Sequence, residues 1–112
     1  MLDIEIKKLR PGAVTPTRGS AYAAGYDFYA CIDAPVVIAP GETATIGTGI
    51  SCAIPEGWFG ACFARSGLAT KQGLRPANCV GVVDSDYRGE YFIALHNDSA
   101  EPRTVYPGDR IA

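Results

Sequence analysis

Asn78-Cys79-Val80-Gly81-Val82-Val83-Asp84-Ser85-Asp86-Tyr87-Arg88-Gly89-Glu90 is the stretch on which the fold turns. Its apolar run stops abruptly at Asp-Ser-Asp-Tyr-Arg-Gly, so it reads as a strand that delivers Asp84 to the mouth of a tight hairpin, with Tyr87 at the tip. The outgoing strand is expected over Cys79 to Asp84 and the return strand over Glu90 to His96. A carboxylate and an aromatic ring fixed on one rigid turn can bind a flat ligand and activate a water beside it.

The same texture continues on both sides. Thirteen glycines and eight prolines cut 112 residues into short pieces, most of them alternating or β-branched rather than helical in period. Leu2, Ile4 and Ile6 share one face of a first strand that Pro11-Gly12 ends. Tyr26 to Ile32 reads as a second strand, with Tyr26, Phe28, Ala30 and Ile32 on one face and Asp27 on the other. Val36 to Ala39, Ala44 to Ile54, a buried Trp58 to Ala64, and Thr104 to Tyr106 complete the expected strands. Only Ser66 to Gln72 suits a short helix. Many short strands with Gly/Pro turns predict an all-β sandwich or barrel, a jelly roll among the options, as one domain over 1–112. Arg110-Ile111-Ala112 opens a further strand and stops, which points to a trimmed domain.

Composition excludes more than it selects. Hydrophobic content of 47% and charged content of 20% fit a folded soluble domain, and a net charge of −2 argues against a broad nucleic-acid or anionic-membrane surface. No apolar run approaches a membrane span and the N-terminus lacks signal-peptide character, so a cytoplasmic protein is expected. Cys31, Cys52, Cys62 and Cys79 fit no zinc spacing and are expected as reduced, mostly buried thiols.

Three short motifs carry chemistry. Arg65-Ser66-Gly67 follows a strand and precedes the helical segment. An arginine fork, a hydroxyl and free backbone N–H groups there suit phosphate oxygens. The same tripeptide also reads as a helix cap beside an exposed charge. Asp84, emerging from an apolar strand, is expected at the rim of a dry pocket, where burial would make it a better general base; simple turn chemistry is the competing reading. Asp27 sits in an apolar segment and needs an arginine, a metal-bound water or solvent as partner.

Taken together, Ala24-Gly25-Tyr26-Asp27, Arg65-Ser66-Gly67-Leu68-Ala69 and the Gly81 to Glu90 run resemble, in order and spacing, the motifs of the trimeric dUTP diphosphatases (dUTPases). The resemblance covers essentially the whole chain and implies the dUTPase-like jelly-roll fold and hydrolysis of dUTP to dUMP and pyrophosphate, which limits uracil in DNA and supplies dUMP. It implies that Asp84 holds the attacking water and that Tyr87 packs on the deoxyribose. Asn78, with the main chain of Val82, Val83 and Phe92, would then pair with uracil, while Arg65, Ser66 and Gly67 hold the phosphates. It further implies Mg²⁺ on the triphosphate with Asp27 in its outer shell, and a homotrimer whose sites are shared between subunits. Three departures accompany it: Ala64 stands where the family commonly has proline, the Gly108-Asp109-Arg110-Ile111-Ala112 motif lacks its following glutamine, and the final strand and glycine-rich arm are missing.

Two other readings are open. A related dCTP deaminase would need a catalytic glutamate after the hairpin, and Val82-Val83-Asp84 with Tyr87 favours the diphosphatase. A catalytically weakened nucleotide-binding or partner-binding module of the same fold is the non-enzymatic alternative. His96 reads as a structural strand residue and not as the base of a Ser66 hydrolase.

Overall fold

The computed structural model describes residues 2–78 and 80–112; Cys79 therefore lies outside the described residues. Among the described residues, nine short strands and one helix follow in the order β1 Glu5–Lys8, β2 Val36–Ile38, β3 Thr43–Gly47, β4 Ile50–Ala53, β5 Gly60–Cys62, α1 Ser66–Gln72, β6 Leu74–Pro76, β7 Gly81–Val83, β8 Phe92–Asn97 and β9 Arg103–Val105. All pairings are antiparallel: β1 with β4, β2 with β9, β5 with β7, and β8 between β3 and β6. This is the expected all-β architecture with a single short helix.

The core forms where strands bury alternate residues. Ala30, Ile38, Ile46, Leu74, Ile93, Leu95, Val105 and Ile111 make one cluster. Ala13, Cys31, Ile50, Cys52 and Tyr91 make a second, beneath the hairpin. Asn97 is fully buried yet satisfied: its amide donates to the carbonyls of Ile38 and Glu101 at 2.8 Å, and its oxygen accepts from Ser99 N at 2.8 Å. Helix α1 ends where Gly73 adopts φ of 71° and its N–H donates to the Ala69 carbonyl. No helix among the described residues is long and apolar enough to cross a membrane.

Several expected elements differ. The strand expected over Ala44 to Ile54 is broken at Thr48-Gly49, because Gly49 turns at φ of 69° where a Cβ would sit 2.8 Å from Ala13 Cβ. The Leu2, Ile4 and Ile6 face is largely exposed, since β1 pairs only with β4 and its outer side stays open. Trp58 to Ala64 shrinks to the three residues of β5, and Trp58, Phe59 and Phe63 are exposed rather than buried. Tyr26 to Ile32 makes isolated bridges, Thr17 with Asp27 and Tyr29 with Arg110, instead of a continuous strand. The terminal residues do pair there: Ile111 N donates to Phe28 O at 2.9 Å and Phe28 N to Ala112 O at 3.0 Å.

Candidate active site

The hairpin after β7 is a turn closed by Tyr87 N donating to Asp84 O at 3.1 Å. Gly89 is required next: the Tyr87 ring folds back over it, and a Cβ there would lie 2.6 Å from the phenol oxygen. That hydroxyl donates to the Glu90 carbonyl at 2.7 Å. The turn is tied to the body of the protein from behind. Ser51 Oγ donates to Arg88 O and Thr48 Oγ1 to Tyr91 O, each at 2.7 Å. Phe28 stacks on Tyr91 with centroids 5.4 Å apart, and Tyr91 meets Tyr87 at 6.2 Å.

In front of this turn lies a cleft of about 220 Å³ lined by Asn78, Val82, Val83, Asp84, Tyr87 and Phe92, with Glu90 and Tyr91 at its back. Six residues singled out from the sequence thus share one surface. Val82 and Phe92 are more than half exposed, so their apolar side chains are open to a ligand or neighbour. Asp84 departs from expectation in one respect. Its side chain is exposed, so the single chain does not supply the dry surroundings anticipated for it. The strand before it is only three residues long and edge-paired, and nothing on its own chain covers the carboxylate.

Asp27, Arg65 and Ser66 meet elsewhere, around a second hollow of about 430 Å³ bounded also by Gly25, Tyr26 and Ala64. Arg65 Nε donates to Asp27 Oδ1 at 3.3 Å, and Arg110 Nη1 lies 3.6 Å from Oδ2. Of the partners open to Asp27 from the sequence, an arginine, a metal-bound water or solvent, the structure supplies the arginine, twice. Arg65 occupies the N-cap position of α1, no side chain caps the helix, and Ser66 is its first residue, so the capping reading of Ser66 does not hold. No atom lies within 4 Å of where a Gly67 Cβ would sit, leaving that backbone open to approach. Of the described residues, Cys62 alone lines both hollows. The structure brings the hairpin residues together and the Arg65 group together, but not the two groups with each other.

A lone carboxylate between two guanidinium groups suits a magnesium ion only through intervening waters. Among the described residues no cluster of three acidic, histidine or cysteine side chains offers an inner-sphere cage. Asp27 thus fits an outer-shell role toward an ion whose inner ligands come from phosphate. His96 is structural, as expected: it lies in β8, with Nδ1 2.8 Å from Thr43 Oγ1 and Nε2 3.4 Å from Asp98.

Sequence reading missed Glu90 and Arg10. Their ion pair sits directly behind the hairpin, but the partners are 80 residues apart and only the lone acid at a strand entrance hinted at it. The Glu90 hydrogen bond is the main cause that raises the Arg10 pKa, and the same bond lowers that of Glu90. Burial pushes the Tyr91 hydroxyl far up; it has no oxygen or nitrogen partner among the described residues and faces the thiols of Cys52 and Cys62, weak partners at most. Cys31, Cys52 and Cys62 are free thiols.

Comparison with known proteins converges on one family. The family model described as dUTPase matches residues 12–112. A deoxyuridine 5'-triphosphate nucleotidohydrolase of Syntrophotalea carbinolica is 45% identical over 111 residues, covering 99% of this chain and 76% of that protein. Across five curated relatives of that name the chain spans 60% to 76% of their length. A mutant of the Staphylococcus bacteriophage 80alpha dUTPase solved with dUpNHpp is similar at a TM-score of 0.87 and 27% identity, covering 100% of this chain and 87% of that one. A mutant dUTPase from phage phi11 of S. aureus, solved for the coordination of a structural Mg(II) ion, gives 0.86 and 26%, covering 99% and 87%.

Proposed function

The chain belongs to the dUTPase family, whose members hydrolyse dUTP, and from that premise we propose that it converts dUTP to dUMP and pyrophosphate at the hairpin cleft. The observation that carries this reading is the shared lining of one cleft by Asn78, Val82, Val83, Asp84, Tyr87 and Phe92. Uracil enters beside the hairpin, where the Asn78 amide and the main-chain groups of Val82, Val83 and Phe92 pair with its polar edge. Cytosine is rejected because its reversed donors and acceptors would leave buried groups unpaired, a difference of about 1–3 kcal/mol for each group. Tyr87 packs against the deoxyribose and leaves no room for a 2′-hydroxyl.

Asp84 accepts a proton from a water as that water's oxygen attacks the α-phosphorus. The bond to the leaving pyrophosphate then breaks, and its electron pair departs with the bridging oxygen. Arg65, Ser66 and the open backbone at Gly67 hold the phosphates. Magnesium, when bound, supplies charge neutralisation on the triphosphate, and Asp27 orders its waters from the outer shell.

The Arg65 group and the hairpin cleft line separate hollows within one chain, which supports the reading, implied by the family resemblance, that the site is completed between subunits of a homotrimer. The exposed Trp58, Phe59, Phe63, Val82 and Phe92 give an apolar surface of the kind that such contacts cover. Assembly would also exclude water from the exposed Asp84. Mixing two inactive variants, Asp84→Asn and Arg65→Ala, tests the arrangement. Mixed trimers contain some intact sites, so dUTP hydrolysis returns on mixing; no recovery from refolded mixtures contradicts a shared site.

A further inference from the structure

Glu90 lines the cleft, and its carboxylate is fully engaged by other parts of the chain. Its Oε1 pairs with Arg10 Nη1 and its Oε2 accepts the Gly49 N–H at 3.1 Å. Arg10 is itself fixed, donating through Nη2 to the Cys31 carbonyl at 2.8 Å. The pair crosses directly over Gly47: a Cβ at that position would overlap the Glu90 carboxylate and lie 2.7 Å from Arg10 Nη2. On its other side, the Glu90 carbonyl accepts the Tyr87 hydroxyl at 2.7 Å. One residue therefore holds the ring at the hairpin tip through its main chain and is held to the β3–β4 corner through its side chain.

We propose that Arg10 and Glu90 are a positioning pair that sets the height of the Tyr87 ring above the sugar subsite, and so the preference for dUTP over UTP. The proposal rests on the reading of the hairpin as the dUTP site. Neither side chain touches substrate; both act through Tyr87. A shift of the Glu90 backbone by a fraction of an ångström moves the acceptor of the Tyr87 hydroxyl. The ring then yields to a 2′-hydroxyl that it otherwise excludes.

The test is kcat and KM for dUTP and UTP, with the melting temperature, in the wild type, Glu90→Gln, Gly47→Ala, Glu90→Ala and the Gly47→Ala/Glu90→Ala double variant. Glu90→Gln keeps an acceptor for Gly49 but loses the charge. Gly47→Ala displaces the pair from behind, its methyl reaching only ordinary contact, 3.4 Å, with the Phe92 ring. Both are expected to lower the dUTP-to-UTP ratio of kcat/KM by roughly three- to tenfold through a gain in UTP binding, while melting stays cooperative. Gly47→Ala is expected to change the ratio no further once Glu90 is alanine, because the overlap that remains is with Arg10, which then has no side-chain link to the hairpin. A purely structural pair would alter melting and leave the ratio alone. A selective wild type with unaltered ratios in Glu90→Gln and Gly47→Ala overturns the positioning pair by itself. A wild type that turns over neither nucleotide removes the underlying site and the proposal with it.

Discussion

The Tyr87 hydroxyl donates to the Glu90 carbonyl at 2.7 Å, which lays the ring across Gly89 and makes the hairpin tip a fixed wall rather than a loose aromatic. Removing that hydroxyl with Tyr87→Phe should cost about 0.5–1.5 kcal/mol of stability, the ordinary value of one intramolecular hydrogen bond. Tyr87→Ala removes the wall as well, and UTP should then compete with dUTP. Inhibition constants for UTP check this, and unchanged sugar discrimination in Tyr87→Ala would refute the packing role.

Asp84 is exposed on its own chain, so its catalytic competence depends on what covers it. Asp84→Asn should retain nucleotide affinity and lose on the order of 10²–10⁴ in turnover, the usual contribution of a positioned base. Calorimetric binding beside a pyrophosphate assay separates the two effects. Undiminished turnover removes Asp84 from the role.

The ion pair behind the hairpin has a pH signature. The Glu90 pKa is lowered from its ordinary 4.5, chiefly by the Arg10 hydrogen bond and then by contacts at the Thr48–Gly49 backbone. A depressed carboxylate stabilises the fold above its unfolded pKa, and that contribution disappears as pH falls through the folded value. Melting temperatures of the wild type and Glu90→Gln should therefore differ near neutral pH and converge as the pH falls below 4.5 and through the lowered pKa of Glu90. Parallel curves across that range would mean that the pair is energetically silent.

Tyr91 buries a hydroxyl with no oxygen or nitrogen partner among the described residues, packed against Phe28 and facing the Cys52 thiol, at best a weak hydrogen-bond partner. An unsatisfied buried hydroxyl costs roughly 1–3 kcal/mol, so Tyr91→Phe should be neutral or stabilising by about 1 kcal/mol. Urea denaturation reads this directly, and a loss of more than about 1 kcal/mol would reveal a partner for the hydroxyl.

The helix over Ser66 to Gln72 and the hairpin around Asp84 were legible because each carries its own local signals, a glycine stop in one and Asp-Ser-Asp-Tyr-Arg-Gly in the other. The hairpin residues came together in one cleft because they are neighbours along two paired strands and one turn. What stayed illegible is long-range. The break at Gly49 depends on Ala13 lying against it, and the ion pair of Glu90 depends on Arg10 from the first strand's end. Burial also misled at Trp58, Phe59 and Phe63: apolar sequence signals that a surface will be covered, not that the same chain covers it. Asp84 was expected in a dry pocket for the same reason.

The central claim is that the cleft beside Asp84 and Tyr87 hydrolyses dUTP selectively. Incubating the protein with Mg²⁺ and dUTP, in parallel with dTTP, dCTP and UTP, while measuring pyrophosphate and nucleoside monophosphate, tests it most directly. The account predicts dUMP and pyrophosphate in equal amounts from dUTP, with little product from the other three. Equal turnover of all four, or none from dUTP, would contradict it.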